Sequence, residues 1–236
     1  SAALELVVYL AFHRHGVSHG ESAVAIWPEY PVSVSTLHAT ASDARRALGH
    51  DSSGIAHLPR GSQLRLQRSV HTDVDRFMAF AGSEDPWRLR QAFSLVRGPL
   101  FSGLRRMDWA VLDGTRCELE SSIVCAALRG AAAFVSRGRG DLAEWMVRRA
   151  LVICPYDERL YRGLLRATAA QGNRARLTRT MAQLLTFAGE EAGPGVSRRG
   201  LQVDPALLGR LHPRTAALYH DLLQGEPAAG GHAARL

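Results

Sequence analysis

Hydrophobic positions near the start of the chain predict two short helices. Leu4–Phe12 is apolar nearly throughout, and its length, together with the terminator Gly16, favours a helix over a buried strand. Ser18 and Glu21 have the spacing of a capping box, in which a hydroxyl and a carboxylate satisfy each other's backbone N–H groups. A second helix is therefore predicted from this point, and Pro28 ends it.

A third helix is predicted from Ser33 or Ser35 to Leu48, with Gly49 as its terminator. Its apolar positions recur on one stripe at helical spacing, which gives it a single buried face: Leu37, Ala41, Ala44 and Leu48.

Two short extended runs follow the third helix. Ile55–Leu58 and Gln63–Gln67 flank the segment Pro59-Arg60-Gly61-Ser62, a pattern that predicts a β-hairpin with a four-residue turn. Three helices and a hairpin within about 65 residues are typical of a winged helix-turn-helix.

From Asp73 onward the pattern predicts helices almost throughout, so the fold class is mostly α. The predicted helices are Val74–Ala81, Pro86–Val96, Asp108–Val135, Asp141–Ile153, Asp157–Ala170 and Arg174–Ala188. A loop is predicted over Glu190–Gly200, short helices from Asp204 and Pro213, and a frayed tail from Gln224.

An internal repeat is visible in this helical half. Large, small, small and proline positions have the spacing of a tetratricopeptide unit: Phe134, Ala143, Ala150 and Pro155. About 32 residues later, Gly172, Ala175 and Ala182 repeat the pattern of Gly140, Ala143 and Ala150. We therefore expect tetratricopeptide-like helical hairpins, whose concave face binds peptides, helices or neighbouring domains. Aromatic residues in these helices are expected mostly in the core, with one or two on that face.

The formal net charge is +7, and all 29 basic residues are arginines. Such a charge suggests an anionic partner. Its distribution weakens this interpretation, since residues 1–70 carry six arginines against five acidic residues. Arginines of the helical half are expected to pair with acids of neighbouring hairpins rather than to form a basic groove for an acidic partner. They are Arg148, Arg149, Arg159, Arg162 and Arg166, with Asp141, Glu144, Asp157 and Glu158 as the acids.

Other function classes lack support in the sequence. There is no phosphate-binding loop, G-x-S-x-G or H-E-x-x-H motif, so we expect neither an enzyme nor a cofactor. Three widely spaced cysteines predict no disulfide framework and no zinc site, and favour a cytoplasmic setting. His13, His15 and His19 form H-x-H-x-x-x-H, but the first two point about 200° apart on a helix, so we expect no metal site.

No membrane contact is expected, since the chain has neither a run of 18 apolar residues nor a signal peptide. The apolar pattern is already under way at Ala3, after a first residue that is Ser1 rather than methionine. These features indicate a segment of a longer protein.

Candidate DNA-binding residues lie on the third helix and the hairpin. Opposite the buried stripe, Ser35, Ala39, Ser42, Asp43 and Arg46 point outward, where short polar side chains and arginine meet base edges in a helix-turn-helix. Arg45 lies on the flank and suits a phosphate. The hairpin adds arginines for the minor groove or the backbone: Arg60, Arg65 and Arg68. The structural alternative is a solvated helix face and a basic turn.

Several stretches resemble the bacterial transcriptional activator domain architecture found in the Streptomyces antibiotic regulatory protein family and related actinobacterial regulators. They are Thr36-Leu37, Ala44–Gly49, Thr72–Phe77, Arg97–Leu104, Trp109-Ala110, Arg148–Leu151, Pro155–Arg162, Ala169–Asn173 and Arg214–Tyr219. The resemblance covers most of residues 4–223 and is more specific in the helical half. It adds Thr36 to the predicted DNA-binding residues.

The resemblance implies a winged helix-turn-helix at residues 1–70 without the family's N-terminal sheet. A tetratricopeptide-like activator domain at 71–223 and a flexible tail at 224–236 would follow. It implies a transcriptional regulator that binds double-stranded DNA and whose helical domain contacts a protein partner or a second copy. Asp43 stands where family members usually carry a basic residue. With the near-neutral charge of residues 1–70, it favours an alternative: a protein-interaction scaffold, including the cytoplasmic end of a larger membrane-anchored protein.

Overall fold

A computed structural model describes residues 1–190 and 208–225 of the chain. The helices are α1 (Ala2–Phe12), α2 (His19–Ile26), α3 (Val34–Leu48), α4 (Asp73–Ala81), α5 (Pro86–Ser94), α6 (Asp108–Leu112), α7 (Thr115–Val135), α8 (Gly140–Leu151), α9 (Glu158–Ala169), α10 (Arg174–Glu190) and α11 (Pro213–Gln224). The strands are β1 (Val17–Ser18) and β2 (Gln63–Leu64). The fold is mostly α, as the sequence predicts.

The chain divides into two compact units, and each is described by itself. The first unit comprises Ser1–Met78 and Gly98–Ser121, and the second comprises Ala79–Arg97 and the described residues from Ser122 onward. The sequence predicts a domain boundary after residue 70. In the structure, residues 71–78 and 98–121 group with the N-terminal unit instead.

The second and third helices follow the predicted caps. The Oγ of Ser18 accepts a hydrogen bond from the Glu21 N–H at 3.1 Å, and Glu21 Oε2 accepts one from the Ser18 N–H at 2.6 Å. This reciprocal pair is the predicted capping box at the start of α2. Ser33 caps α3, and Gly49 follows the last residue of that helix. The predicted stripe of α3 faces the core, with Ala41 and Ala44 fully buried.

The predicted hairpin between Ile55–Leu58 and Gln63–Gln67 is only partly correct. Strand β2 pairs antiparallel with β1, with Val17 opposite Leu64 and Ser18 opposite Gln63. The 55–58 run makes an isolated bridge between His50 and Ala56 instead. Pro59 has no N–H to donate to a ladder, which prevents regular pairing beside the turn. Side chains of residues 63–66 still alternate between exposed and buried, and Leu64 and Leu66 enter the core.

Residues 98–121 belong to the first unit because α1 carries a buried carboxylate that they satisfy. Glu5 is 2% exposed. Its Oε1 accepts a hydrogen bond from the Arg105 N–H at 3.2 Å, and its Oε2 lies 3.1 Å from Arg106 Nη1. A buried carboxylate without such partners costs several kcal/mol, so the loop before α6 is held against α1.

An aromatic cluster continues this packing. The Trp109 ring is surrounded by Tyr9, Phe12, His13 and Phe101, at centroid separations of 5.0 to 6.2 Å. Such tilted and edge-to-face arrangements add to the stabilisation that burial alone provides.

The single helix predicted over Asp108–Val135 is two helices. α6 ends at Leu112, and α7 begins at Thr115. Gly114 between them adopts φ +81°, a left-handed conformation that interrupts an α-helix and favours glycine. The Oδ1 of Asp113 accepts a hydrogen bond from the Thr115 N–H at 3.0 Å and supports the new start.

In the second unit α8 packs on α9, and α9 packs on α10 and α11. Phe134, Ala143 and Ala150 of the predicted repeat are fully buried. At Gly140 a Cβ atom would lie 2.8 Å from the Ala167 carbonyl oxygen, so this glycine permits close approach of α8 and α9. The second copy of the pattern differs, because Ala175 is exposed. The predicted loop at 190–200, the helix at 204 and the tail beyond 225 lie outside the described residues.

Glu144 on α8 links three helical elements of this unit. It is 4% exposed. Its Oε1 lies 2.8 Å from both Arg148 Nε and Arg176 Nη2, and its Oε2 accepts a hydrogen bond from Gln171 Nε2 at 2.8 Å. Burial alone would raise the pKa of this carboxyl, but these hydrogen bonds and the two arginine charges outweigh it and hold the pKa below its ordinary value.

Replacing Glu144 with glutamine should lower the free energy of unfolding by about 2 kcal/mol, because two arginines lose a buried partner. Since folding lowers the pKa, the stabilisation is fully present above about pH 5 and is lost as pH falls through the lowered value. Urea unfolding between pH 3 and 7 measures both effects. The exposed Asp141 that pairs with Arg139 supplies the control, and Asp141→Asn should leave the midpoint nearly unchanged. Equal changes of the unfolding midpoint in Glu144→Gln and Asp141→Asn would contradict the stabilising role of the buried Glu144 carboxylate.

Gly140→Ala should cost about 1–3 kcal/mol, because the new methyl group would overlap the Ala167 carbonyl oxygen and the Gln171 side chain. Gly82→Ala is the matched control, since a Cβ there meets nothing within 4 Å. That variant should be neutral or slightly stabilising. Thermal unfolding of both variants tests the close approach, and a neutral Gly140→Ala would refute it.

Candidate nucleic-acid interface

The helix-turn-helix of the first unit is built on α1. Both α2 and α3 pack against α1, and the shared core includes Leu10, Ile26, Ala41 and Ala44, all fully buried. Burial of these small and branched side chains fixes which face of α3 looks inward. The opposite face of α3 is exposed as predicted, at Ser35, Thr36, Ala39, Ser42, Asp43 and Arg46.

Hydroxyl groups at the start of α3 form a connected cluster. Ser33 Oγ lies 2.7 Å from Ser35 Oγ and 2.9 Å from Thr36 Oγ1, and it accepts a hydrogen bond from the Thr36 N–H. These hydroxyls therefore already have partners within the N-cap. They remain exposed to solvent, where a hydroxyl retains the capacity for a further hydrogen bond.

The acidic residue on this face pairs with its neighbour. Asp43 Oδ1 lies 3.1 Å from Arg46 Nη1, and the two side chains are 59% and 78% exposed. An ion pair this open contributes little to stability and is easily exchanged for another partner. The positive charge of Arg46 on the exposed face of α3 is thus partly neutralised by Asp43.

Arg45 has a structural contact that the sequence did not predict. This half-buried side chain donates from Nε to the Leu58 carbonyl oxygen at 3.2 Å. Burial first, and the positive charge of Arg60 second, lower the pKa of Arg45. The contact ties α3 to the residues before Pro59.

The remaining arginines predicted to bind DNA are exposed: Arg60, Arg65 and Arg68. Arg65 alternates with the buried Leu64 and Leu66, so the strand period directs it to solvent.

Histidines near the interface do not form a metal centre. His13 Nδ1 lies 2.9 Å from the Tyr9 carbonyl oxygen, and its Nε2 lies 3.4 Å from Asp113. The ring of His19 lies 5.5 Å from that of His38, by their centroids. In the described part of the chain no three histidine, cysteine, aspartate or glutamate residues are placed to hold a metal ion. The exposed His38 was not among the residues predicted from the sequence, although it lies one helical turn from Ser35 and Ser42.

Arginines in the helical half pair mainly within their own helix or cap. Arg148 pairs with Glu144, Arg159 with Asp157 and Arg162 with Glu158. Among the described residues, Arg176, an arginine outside the set for which such pairing was expected, reaches Glu144 on the neighbouring hairpin. Residues four apart on a helix are already adjacent, which explains the local pairs. Arg149 instead donates to the Val96 carbonyl oxygen at 2.6 Å.

Within residues 1–190 and 208–225, no helix is both long and apolar enough to cross a membrane.

Comparison with known proteins finds a matching family model for part of the chain and a matching solved structure. The family model described as "Bacterial transcriptional activator domain" matches residues 72–186. The solved structure of "Mycobacterium tuberculosis EmbR in complex with low affinity phosphopeptide" matches with a TM-score of 0.59 and 20% identity. The match covers 96% of this chain and 60% of that one. No curated protein matches.

Proposed function

We propose that this chain, whose residues 72–186 match the family model described as "Bacterial transcriptional activator domain", is a DNA-binding transcriptional regulator without enzymatic activity. In this proposal α3 enters the major groove of double-stranded DNA, and the arginines of residues 60–68 contact the backbone. The helical unit then contacts a protein partner or a second copy. All three cysteines are free, which suits a cytoplasmic setting. The chain spans 60% of the EmbR chain, so these roles are proposed for this part alone.

The observation that carries the proposal is the contact of Arg45 with Leu58. It fixes the Arg45 guanidinium at Leu58, two residues before the exposed Arg60. Like charges repel, and an anion that binds beside them reduces this repulsion. A phosphate group of DNA would supply that negative charge and bind both cations.

The exposed face of α3 suits close approach to DNA. Ala39 and Ser42 are short and exposed, so they would not hold the helix away from the base edges. Serine hydroxyls donate to and accept from several bases, and a methyl group can pack on that of thymine. Arg46 would exchange its exposed ion pair with Asp43 for a phosphate or guanine.

A second candidate function is a protein-interaction scaffold in which the winged helix is structural. The ion pair of Asp43 and Arg46 favours it, because the pair neutralises the outward arginine of α3. The balance of six arginines against five acidic residues in residues 1–70 favours it as well. A DNA-binding regulator and a protein-interaction scaffold therefore predict different results in one DNA-binding experiment.

Fluorescence anisotropy with a generic DNA duplex, from about 50 to 200 mM salt, tests the proposal. The wild-type chain should bind in the micromolar range at low salt. The Arg46→Ala, Arg60→Ala, Arg65→Ala triple variant should bind at least about tenfold more weakly, and its slope of log K against log salt should be shallower by about 3.

The control is a second triple variant with the same loss of charge, Arg137→Ala, Arg174→Ala, Arg179→Ala, whose three arginines are exposed in the helical unit. It should bind DNA nearly as well as the wild type. Equal weakening by both triple variants would show a non-local effect of net charge. Absence of binding at low salt would overturn DNA contact by this chain and favour the scaffold.

Asp43→Asn should strengthen binding to the same duplex about two- to fivefold at low salt, because it removes a negative charge beside the phosphates and releases Arg46. Glu29→Gln, an equal change of charge at an exposed residue outside α3, is the comparison and should have a smaller effect. Parallel titrations of the labelled duplex with the wild type, Asp43→Asn and Glu29→Gln measure the three affinities. If both substitutions strengthen binding alike, the exposed face of α3 is not the contact.

A further inference from the structure

The solvent side of α5 carries aromatic and basic residues at helical spacing. Trp87, Arg90, Gln91 and Ser94 are all exposed and lie at positions i, i+3, i+4 and i+7. The opposite side of the helix is buried, with Leu89, Ala92 and Phe93 fully inaccessible. Trp87 is 48% exposed, and its inner edge meets Phe134 at a centroid separation of 5.2 Å. Trp87 therefore packs against Phe134 and leaves about half of its surface open to solvent.

A second tryptophan adjoins this stripe between two guanidinium groups. The Cζ of Arg90 lies 5.5 Å from the ring centroid of Trp145, and the Cζ of Arg149 lies 5.4 Å from it. Cation–π contacts of this length favour these positions of the two guanidinium groups. The hydrogen bond from Arg149 to Val96 restrains the second guanidinium further. We call the residues Trp87, Arg90, Trp145 and Arg149 the arginine–tryptophan surface.

Acidic residues on α8 and immediately before α5 are engaged elsewhere. Glu84 lies 3.9 Å from Arg129, and Asp85 caps the N–H of Trp87. Asp141 pairs with Arg139, and Glu144 is buried with Arg148 and Arg176. Among the described residues, Arg90 and Arg149 therefore have aromatic and carbonyl partners but no carboxylate. They are two ordered cations whose charge no acid of the described chain neutralises.

We propose that the arginine–tryptophan surface binds an acidic segment of a protein partner, with carboxylates on Arg90 and Arg149 and an apolar side chain on Trp87. Arginine binds carboxylates in bidentate geometry, and pre-ordered guanidinium groups lose less entropy on binding. Tryptophan and arginine are also the residues most enriched at energetic centres of protein interfaces.

A protein segment suits this surface better than a nucleic acid. Trp145 is half-buried and already has two guanidinium contacts, so it does not offer a free face on which a base can stack. The proposal deepens the part of the proposed function that assigns a protein partner to the helical unit. It does not depend on DNA contact by α3, and its test separates the two.

The test uses the whole chain and a fluorescein-labelled peptide of about five Glu-Glu-Leu repeats, with the equivalent Gln-Gln-Leu peptide as the neutral comparison. Anisotropy at low salt should show binding of the acidic peptide alone. Arg90→Glu should weaken this binding about tenfold. The matched variant is Arg88→Glu, an exposed arginine two positions away on α5 that points to another side of the helix. It should weaken binding less than twofold.

Circular dichroism verifies that both variants keep the wild-type helix content, which is expected because both side chains are exposed. Three results would overturn the proposal: no binding of the acidic peptide, equal binding of the neutral peptide, or equal weakening by Arg88→Glu and Arg90→Glu. A DNA duplex that displaces the peptide and loses affinity in Arg90→Glu would make this a nucleic-acid surface. Peptide binding unaffected by the Arg46, Arg60, Arg65 triple variant supports a site separate from that on α3.

Discussion

The first unit depends on the burial of one carboxylate, that of Glu5 on α1. Helix α1 is the base on which α2 and α3 pack, and a charge inside that base would destabilise it without partners. The Arg105 N–H and the Arg106 guanidinium supply them from a segment a hundred residues away. Arg106 also lies over the ring of Trp27, directly after α2. The loop before α6 is therefore a structural part of the helix-turn-helix unit, although the family match assigns it to the activator domain.

The second unit likewise contains a buried carboxylate that has hydrogen-bond and arginine partners, that of Glu144. Its carboxylate is shared by Arg148 on the same helix, Gln171 after α9 and Arg176 on α10, so three successive elements are held by a single buried charge. Around it the interior is made of small and apolar side chains, with Gly140 admitting the backbone of α9 at close range. Ion pairs on the surface are mostly local and exposed, and they contribute little to this arrangement.

An anionic partner is expected to bind where arginines are not already paired with nearby acidic residues, and the net charge of the chain alone does not locate such places. Several arginines of the helical half pair with an acid within four residues, among them Arg148, Arg159 and Arg162, and these pairs reduce the local positive charge. Two places carry the arginine pairs on which the proposed contacts depend. One is Arg45 with Arg60 in the first unit, and the other is Arg90 with Arg149 in the second. The proposed DNA and protein contacts fall on these two pairs.

Features that depend on neighbouring residues were determined by the sequence alone. The capping box of Ser18 and Glu21, the buried stripe and exposed face of α3 and most helix bounds follow from side chains within one or two turns. The family resemblance, carried by local motifs, is likewise confirmed. Only the tertiary structure decided the partner of β2, the break at Gly114, the contact of Arg45 with Leu58, and the satisfaction of Glu5. Strand pairing and buried charges join residues far apart in the chain, and no local pattern specifies which distant group will satisfy a given N–H or carboxylate.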